Sequence, residues 1–354
     1  MESMLHAPGR DVIQAGSMDA MSDSTQTVQR HLRLAGCDVE LPLMGLGTWA
    51  WGDKATWGMN DYDRSYNFET IRDAYARSVA AGITLLDTAE AYGNGESERI
   101  IGRLLEEDGA HRSQVVVATK FIPFPWKLNV AASLMVSLRA SLERLKMPAV
   151  HLYQIHGPIS LRSHQAMADA LAAAYQAGLV KAVGVSNYST GEMRAIHAAL
   201  ATRGIPLASN QIEYSLLRTM PESNGLLAAC RELGVVVLAY SPIGQGRLTG
   251  KYNAANPPPG KRNFSDFPMQ EIDPIVAELR RIGAAYGGRT PAQVALNWVI
   301  CKGAVPIPGA KNQSQAEQNA GALGWRLSDD DVAALDRVSK SGQRKLMHRI
   351  WQHG

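Results

Sequence analysis

The chain has 354 residues, 45% of them hydrophobic and 19% charged, with 36 Lys and Arg against 33 Asp and Glu for a formal net charge of +3. That balance supports one large core and excludes a disordered chain. No block of five or six basic residues occurs, so neither nucleic acid nor an anionic membrane is indicated as partner. Length alone suggests about two domains, but single α/β barrels routinely pass 250 residues.

Residues 1–28 are polar with scattered Met and read as a flexible leader, with Met18 and Met21 as candidate alternative starts. It lacks the charged-then-apolar design of a secretion signal, and no apolar run nears the roughly 20 residues of a membrane span. Cys37, Cys230 and Cys301 lie far apart without metal spacing. They read as reduced thiols, which places the expected location in the cytoplasm.

After the leader, His31-Leu34 and Val39-Leu41 flank Ala35-Gly36-Cys37-Asp38 and predict a small β-hairpin. Then short apolar runs alternate with amphipathic segments. The predicted strands are Leu43-Leu46, Ile83-Leu86, Val115-Ala118, Leu152-Ile155, Ala182-Val185, Leu207-Asn210, Val235-Ala239 and Val305-Pro308. The predicted helices are Phe68-Ala81, Glu96-Glu106, Ala131-Leu145, Ser163-Ala177, Thr190-Ala201, Glu222-Leu233, Asp273-Tyr286 with Pro291-Cys301, and Gln313-Ala322. Gly82, Gly178, Gly204 and Gly234 follow helices as left-handed caps.

Eight strand–helix units favour closure into a (β/α)8 TIM barrel over an open sheet. Gly45-Leu46-Gly47 is followed by Thr, Trp and Ala, so it is not a dinucleotide-binding GxGxxG. The barrel unit is expected over residues 29–340. Two segments break the regular spacing. Tyr240 to Asp273 is long, contains Pro257-Pro258-Pro259-Gly260, and reads as a lid or binding loop. Beyond a helix over Leu327-Val338, the basic tail ends near Trp351; residues 341–354 are expected either frayed or at a pocket rim.

Polar islands end several strands: Asp87-Thr88-Ala89-Glu90-Ala91-Tyr92, Ala118-Thr119-Lys120, Tyr153-Gln154-Ile155-His156 and Gly184-Val185-Ser186-Asn187. Barrel enzymes keep their chemistry at the strand C-termini. A phenol has a pKa near about 10 and donates poorly at neutral pH. Lys120 is expected to lower that value for Tyr92, with Asp87 holding the lysine charged. Tyr92 and His156 together would stabilise a developing alkoxide. No residue among them is an obvious nucleophile toward a carbonyl, so a hydride from a cofactor fits. Taken singly each has a plainer reading: a half-buried packing tyrosine, a loop lysine, a loop histidine, a helix-capping aspartate. Their joint occurrence on successive strand ends carries the inference.

The motifs Gly45-Leu46-Gly47-Thr48, Asp87 to Gly93, Thr119-Lys120, Gln154 to His156, Gly184 to Asn187, Asn210-Gln211, Tyr240-Ser241-Pro242 and Ile307-Pro308-Gly309 occur in that order. In this the sequence resembles the aldo-keto reductase family over roughly residues 32–338. Trp49 to Gly52, Leu238 to Pro242 and Val305 to Asn312 bring it nearest the plastid-type and pyridoxal-reductase-like branch. The resemblance implies a catalytic tetrad of Asp87, Tyr92, Lys120 and His156.

It further implies NADPH (NADP+) as cofactor. Ser186, Asn187 and Gln211 would hold the carboxamide and Tyr240 would stack on the ring. The turn Ser241, Pro242, Ile243, Gly244, Gln245, Gly246, with Arg247 and Leu248, would give backbone N–H groups to the pyrophosphate. Gly309, Lys311, Gln315, Gln318 and Asn319 would hold the adenosine end, Lys311 favouring the 2′-phosphate. Trp49, Trp51, Trp57, Phe121 and Trp126, with Phe124, are expected around a flat or apolar carbonyl substrate.

The expected activity is reduction of an aldehyde or ketone, with pyridoxal, a reactive aldehyde or a bulky secondary ketone such as an oxidised terpenoid toxin as candidates. The expected assembly is a monomer or weak homo-oligomer. Two other readings stand beside it: a cofactor-sensing subunit of the channel β-subunit type, and a Schiff-base enzyme using Lys120.

Overall fold

The computed structural model describes residues 31–259, 267–343 and 346–354. The expected leader, with Met18 and Met21, and Gly260 of the proline-rich loop lie outside the described residues. Eight parallel strands follow one another around a sheet: β3 (Gly45–Gly47), β4 (Leu85–Asp87), β5 (Val116–Phe121), β6 (Val150–Ile155), β7 (Val180–Ser186), β8 (Leu207–Glu213), β9 (Val236–Tyr240) and β10 (Val305–Pro306). Each is paired with the next in sequence order. The ring is closed between first and last by a parallel bridge Gly47↔Gly309 and by Gly47 N–H donating to Pro308 O at 3.0 Å. A Cβ on Gly47 would stand 2.7 Å from Ile307 O, so only glycine admits this approach.

The expected hairpin is β1 (His31–Arg33) paired antiparallel with β2 (Glu40–Pro42). It lies at the end of the barrel away from the polar strand ends. Its Leu34, Val39 and Leu41 pack with Leu85, Val116, Ala118, Leu152, Ala182, Ala208, Leu238, Val305 and Ile307, the core inside the barrel. A larger core joins the outer strand faces to the surrounding helices. This division follows from strand alternation, which points successive side chains inward and outward.

The connecting helices are α1 (Phe68–Ala80), α2 (Glu96–Glu107), α3 (Val130–Leu145), α4 (His164–Gln176), α5 (Thr190–Ala201), α6 (Met220–Ser223), α7 (Leu226–Glu232), α8 (Met269–Ala285), α9 (Pro291–Cys301) and α10 (Gln313–Ala320). Local chemistry sets their starts. Asn67, Ser189 and Thr290 form reciprocal capping boxes with Thr70, Glu192 and Gln293. Beyond the barrel, Ser328 caps α11 (Asp329–Val338), and α12 (Leu346–Trp351) leads into the last residues.

Two helix expectations differ from the structure. The segment read as one helix over Glu222-Leu233 is broken into α6 and α7, because Gly225 takes φ 80 and interrupts the run. The helix read as starting at Asp273 starts at Met269, with Pro274 inside it. Among the described residues no helix is long and apolar enough to cross a membrane.

Candidate active site

Parallel register sets the expected side chains at one end of the barrel. Gly47 lies beside Asp87, Asp87 beside Ala118, Lys120 beside Gln154, Phe121 beside Ile155, and Ser186 beside Gln211. A cavity of about 1190 Å³ opens there. Asp87, Tyr92 and His156 line it, and fully buried Lys120 sits directly beneath.

Lys120 Nζ donates to Asp87 Oδ1 at 2.7 Å, Thr88 O at 2.7 Å and Tyr92 OH at 3.3 Å. Those contacts use the three N–H bonds of an ammonium. Asp87 uses its second oxygen to accept from Gln211 Nε2 at 2.6 Å. Behind the lysine, Thr119 donates to buried Glu98 at 2.5 Å, and Glu98 is paired with Arg144 at 2.7 Å. Burial pushes the Lys120 pKa down, while Asp87 and then Glu98 oppose that shift.

Lys120 is not found to draw the Tyr92 phenol toward neutrality, as its place in the sequence led us to expect. Burial, and next the Asp87 charge, raise the Tyr92 pKa well above its ordinary value. The reason is geometric: the lysine charge is already matched by a carboxylate 2.7 Å away, so the phenol meets a nearly neutral pair. Tyr92 is therefore protonated over the neutral range. His156 is driven the other way: burial, with Lys120 adding to it, lowers its pKa far below the usual imidazole range. It is neutral, and its ring meets Tyr92 edge-on with centroids 5.7 Å apart.

A second polar group sits beside these. Ser186 donates to Gln211 O at 2.9 Å. Asn187 donates through Nδ2 to Ser186 Oγ at 3.1 Å and to His156 O at 3.2 Å. Tyr240 OH donates to Asn187 Oδ1 at 2.9 Å. Asn187 has φ 65, and Ser241 and Gln245 have φ 51 and φ 53. Three non-glycine residues in the left-handed region mark strain stored along one cavity wall.

Ser241, Pro242, Ile243 and Gly246 line the cavity; Gly244, Arg247 and Leu248 do not. Their turn folds on itself: Gly244 N–H goes to Ser241 O, and those of Gly246 and Leu248 to Ile243 O. Leu248 is buried in the core, and Arg247 donates to Gly244 O at 3.3 Å. Three of the expected backbone donors, those of Gly244, Gly246 and Leu248, are thus held in internal hydrogen bonds.

Gly309, Lys311, Gln315, Gln318 and Asn319 all line the far end of the cavity. Asn312 caps α10 there, accepting from Gln315 N–H at 3.0 Å. Lys311 Nζ donates to Trp57 O at 2.8 Å and lies over the rings of Tyr66 and Trp57, at 4.8 and 5.2 Å. Arg280, from α8, also lines this end and donates to Gly250 O at 2.8 Å. Nothing in the spacing of the sequence singles it out, because it is one of many charges on an amphipathic helix.

The aromatic expectations divide. Trp49 and Trp57 line the cavity and meet edge-on at 5.5 Å. Trp51, Phe121 and Trp126 do not line it. Trp51 is fully buried with Nε1 donating to Ala310 O at 3.0 Å, and Phe121 points into the helical core at the strand end. Trp126 is 72% exposed and stacked on Phe124, which does not line the cavity either. Tyr66 takes a place that sequence reading did not assign, and Trp351, from the tail expected either frayed or at a pocket rim, also lines the cavity. The Trp351 ring lies 5.3 Å from that of His156, so the last residues pack at the rim.

The sequence matches the profile of the Aldo/keto reductase family over residues 43–340. It is 40% identical over 321 residues to the chloroplastic pyridoxal reductase of Arabidopsis thaliana, covering 87% of this chain and 86% of that protein. It is 33% identical over 323 residues to aldo-keto reductase YhdN of Bacillus subtilis, covering 87% and 93%. Among solved structures, it resembles an aldo-keto reductase from Klebsiella pneumoniae determined in complex with NADPH. That likeness has a TM-score of 0.68 and 26% identity, and covers 90% of this chain and 97% of the other.

Proposed function

The chain belongs to the aldo/keto reductase family, and from that premise we propose that it reduces an aldehyde or ketone with NADPH, Tyr92 acting as general acid. The observation that carries this is the continuous contact Asp87–Lys120–Tyr92 on the cavity floor, with neutral His156 against the phenol.

The cavity fits the cofactor. Its roughly 1190 Å³ are lined by the Ser186, Asn187, Gln211 and Tyr240 cluster and by Lys311 and the first turn of α10, which offer amide groups and a cation to a dinucleotide. NADPH, when bound, supplies the hydride taken up by the carbonyl carbon. Tyr92 and His156 donate hydrogen bonds to the carbonyl oxygen, where negative charge develops. Tyr92 then gives up its proton to that oxygen, and the phenolate left behind accepts from Lys120 Nζ. Asp87 keeps the ammonium charged against its burial. At the far end Lys311 favours the phosphorylated cofactor.

For substrate we propose a flat or apolar carbonyl compound received between Trp49, Trp57 and Trp351, with an aromatic aldehyde of the pyridoxal type first. The likeness to a pyridoxal reductase and the indole faces at the mouth support it. A Schiff base on Lys120 has no support, since its three donor contacts leave no lone pair for attack. The test is NADPH oxidation against a panel of carbonyl compounds. Tyr92→Phe should cut turnover by about 10²–10⁴-fold, the scale of a lost general acid, with NADPH binding nearly intact. More than roughly a tenth of wild-type turnover would refute Tyr92 as the acid. Cofactor binding without turnover on any substrate would favour a sensory role instead.

A further inference from the structure

We propose that Gln352 is a positioning residue for the nicotinamide end of the cofactor site, so that docking of the last residues and cofactor binding form one coupled equilibrium. This rests on the NADPH reading above. Gln352 is 3% exposed. Its Nε2 donates to Glu213 Oε2 at 2.8 Å and to Tyr240 OH at 2.6 Å. Glu213 is buried and faces Arg218, whose Nε lies 3.7 Å away.

The order of donors has a direction. A carboxylate only accepts, so Glu213 fixes which end of the Gln352 amide faces inward. The second N–H of that amide then points at Tyr240, whose oxygen must accept it. The Tyr240 hydroxyl proton is left to go on to Asn187 Oδ1, at 2.9 Å. With its oxygen occupied, Asn187 presents Nδ2 toward Ser186 and the site. A buried carboxylate and Gln352 thus set the orientation of an amide that would meet the carboxamide of bound NADPH.

The backbone makes the same connection. The N–H groups of His353 and Gly354 both donate to Asn187 O, at 3.1 and 3.2 Å. His353 Nδ1 faces Glu192 Oε1 at 2.8 Å, and Trp351 lies against His156. Asn187 sits in the left-handed region at φ 65, which two more hydrogen bonds help to hold. A segment that fixes a binding residue strengthens binding, and by linkage the ligand strengthens docking of that segment by the same factor.

The test separates the two halves of the cofactor. Dissociation constants are measured for NADPH and for 2′,5′-ADP, which lacks the nicotinamide, with wild type and Gln352→Leu. The expected result is a loss of roughly 10-fold for NADPH, about one net hydrogen bond, and no more than about 2-fold for 2′,5′-ADP. Combined with Tyr240→Phe, Gln352→Leu should add little, since both cut one chain of donors. In wild-type protein, amide exchange at His353 and Gly354 should slow with NADPH and not with 2′,5′-ADP. That measurement stands even where the variant fails to fold. Equal loss for both ligands, no loss for either, or exchange indifferent to NADPH would overturn the inference. Absence of NADPH binding by wild type would overturn the proposed function, and this inference with it.

Discussion

Asp87→Asn keeps the shape of a side chain and removes its charge at the centre of the site. In the wild-type protein both charged groups of the Asp87–Lys120 pair are buried, at 3% and 0% exposure. The variant leaves Lys120 with an uncompensated ammonium, a situation that costs about 3–5 kcal/mol. It also offers one acceptor where Lys120 and Gln211 each need one, and an orphaned buried donor costs about 1–3 kcal/mol. The lysine escapes part of this by losing its proton, because burial already lowers its pKa and Asp87 leads what opposes it. The sign follows. A lysine whose folded pKa is depressed binds fewer protons in the native state than in the unfolded chain. Stability therefore rises with pH, by up to about 1.4 kcal/mol per unit, until the unfolded value near about 10.4. The deficit of Asp87→Asn relative to wild type should be several kcal/mol at pH 7. It should shrink by up to about 2.7 kcal/mol at pH 9. Urea unfolding at both values, with linear extrapolation, measures this. A gap below about 1 kcal/mol at pH 7, or one that does not narrow by pH 9, would refute the account of Asp87 as the group holding Lys120 charged.

Lys120→Met should lower turnover on the scale of Tyr92→Phe, and the double variant should lose little more, since both act on one proton; additive losses would separate the two roles. Lys311→Glu should weaken NADPH by roughly 5- to 150-fold, the equivalent of about 1–3 kcal/mol, and NADH much less. Equal weakening by fluorescence titration would mean that Lys311 does not read the 2′-phosphate. His151 accepts from Val117 N–H at 3.1 Å, which only the neutral imidazole does. Burial, and next Lys181, lower its pKa to about 4. Its contribution is complete above the unfolded value near about 6.5 and is lost as pH falls toward 4, up to about 3 kcal/mol. His151→Gln should flatten that acid limb in pH-dependent melting, and an unchanged limb would assign it to other groups.

The strands and their polar ends were legible because each signal is local. A short apolar run followed by one charged or aromatic residue is visible in a few letters, and parallel register then aligns the ends without further information. What was not legible depends on packing. Trp51 shares the composition of the mouth but is buried past the end of β3, where alternation no longer guides the chain, and Phe121 faces the helices because β5 runs on to it and alternation turns it away from Lys120. Gly225 breaks a helix that its apolar spacing continues across. The direction of the Tyr92 shift needs the 2.7 Å contact between Lys120 and Asp87, a distance no spacing conveys. For the tail ending near Trp351 the sequence left fraying and a pocket rim as equal alternatives, and it marked Gln352 by no local signal at all.

The joint between β3 and β10 has a consequence for the life of the protein. Strand β10 is two residues long, and the ring is fastened beside the cavity at Gly47, Pro308 and Gly309. The cavity is lined by Gly47, Thr48 and Trp49 on one side of that joint and by Ile307 to Lys311 on the other, so a molecule that spans it would touch both. It acts as a stitch across the seam. At a hundred times its dissociation constant a ligand adds about 2.7 kcal/mol to the folded state, and here that increment bears on the joint made by the two-residue β10. Proteases act on the opened ring, so the survival of the protein should track the supply of its ligand as well as its own sequence.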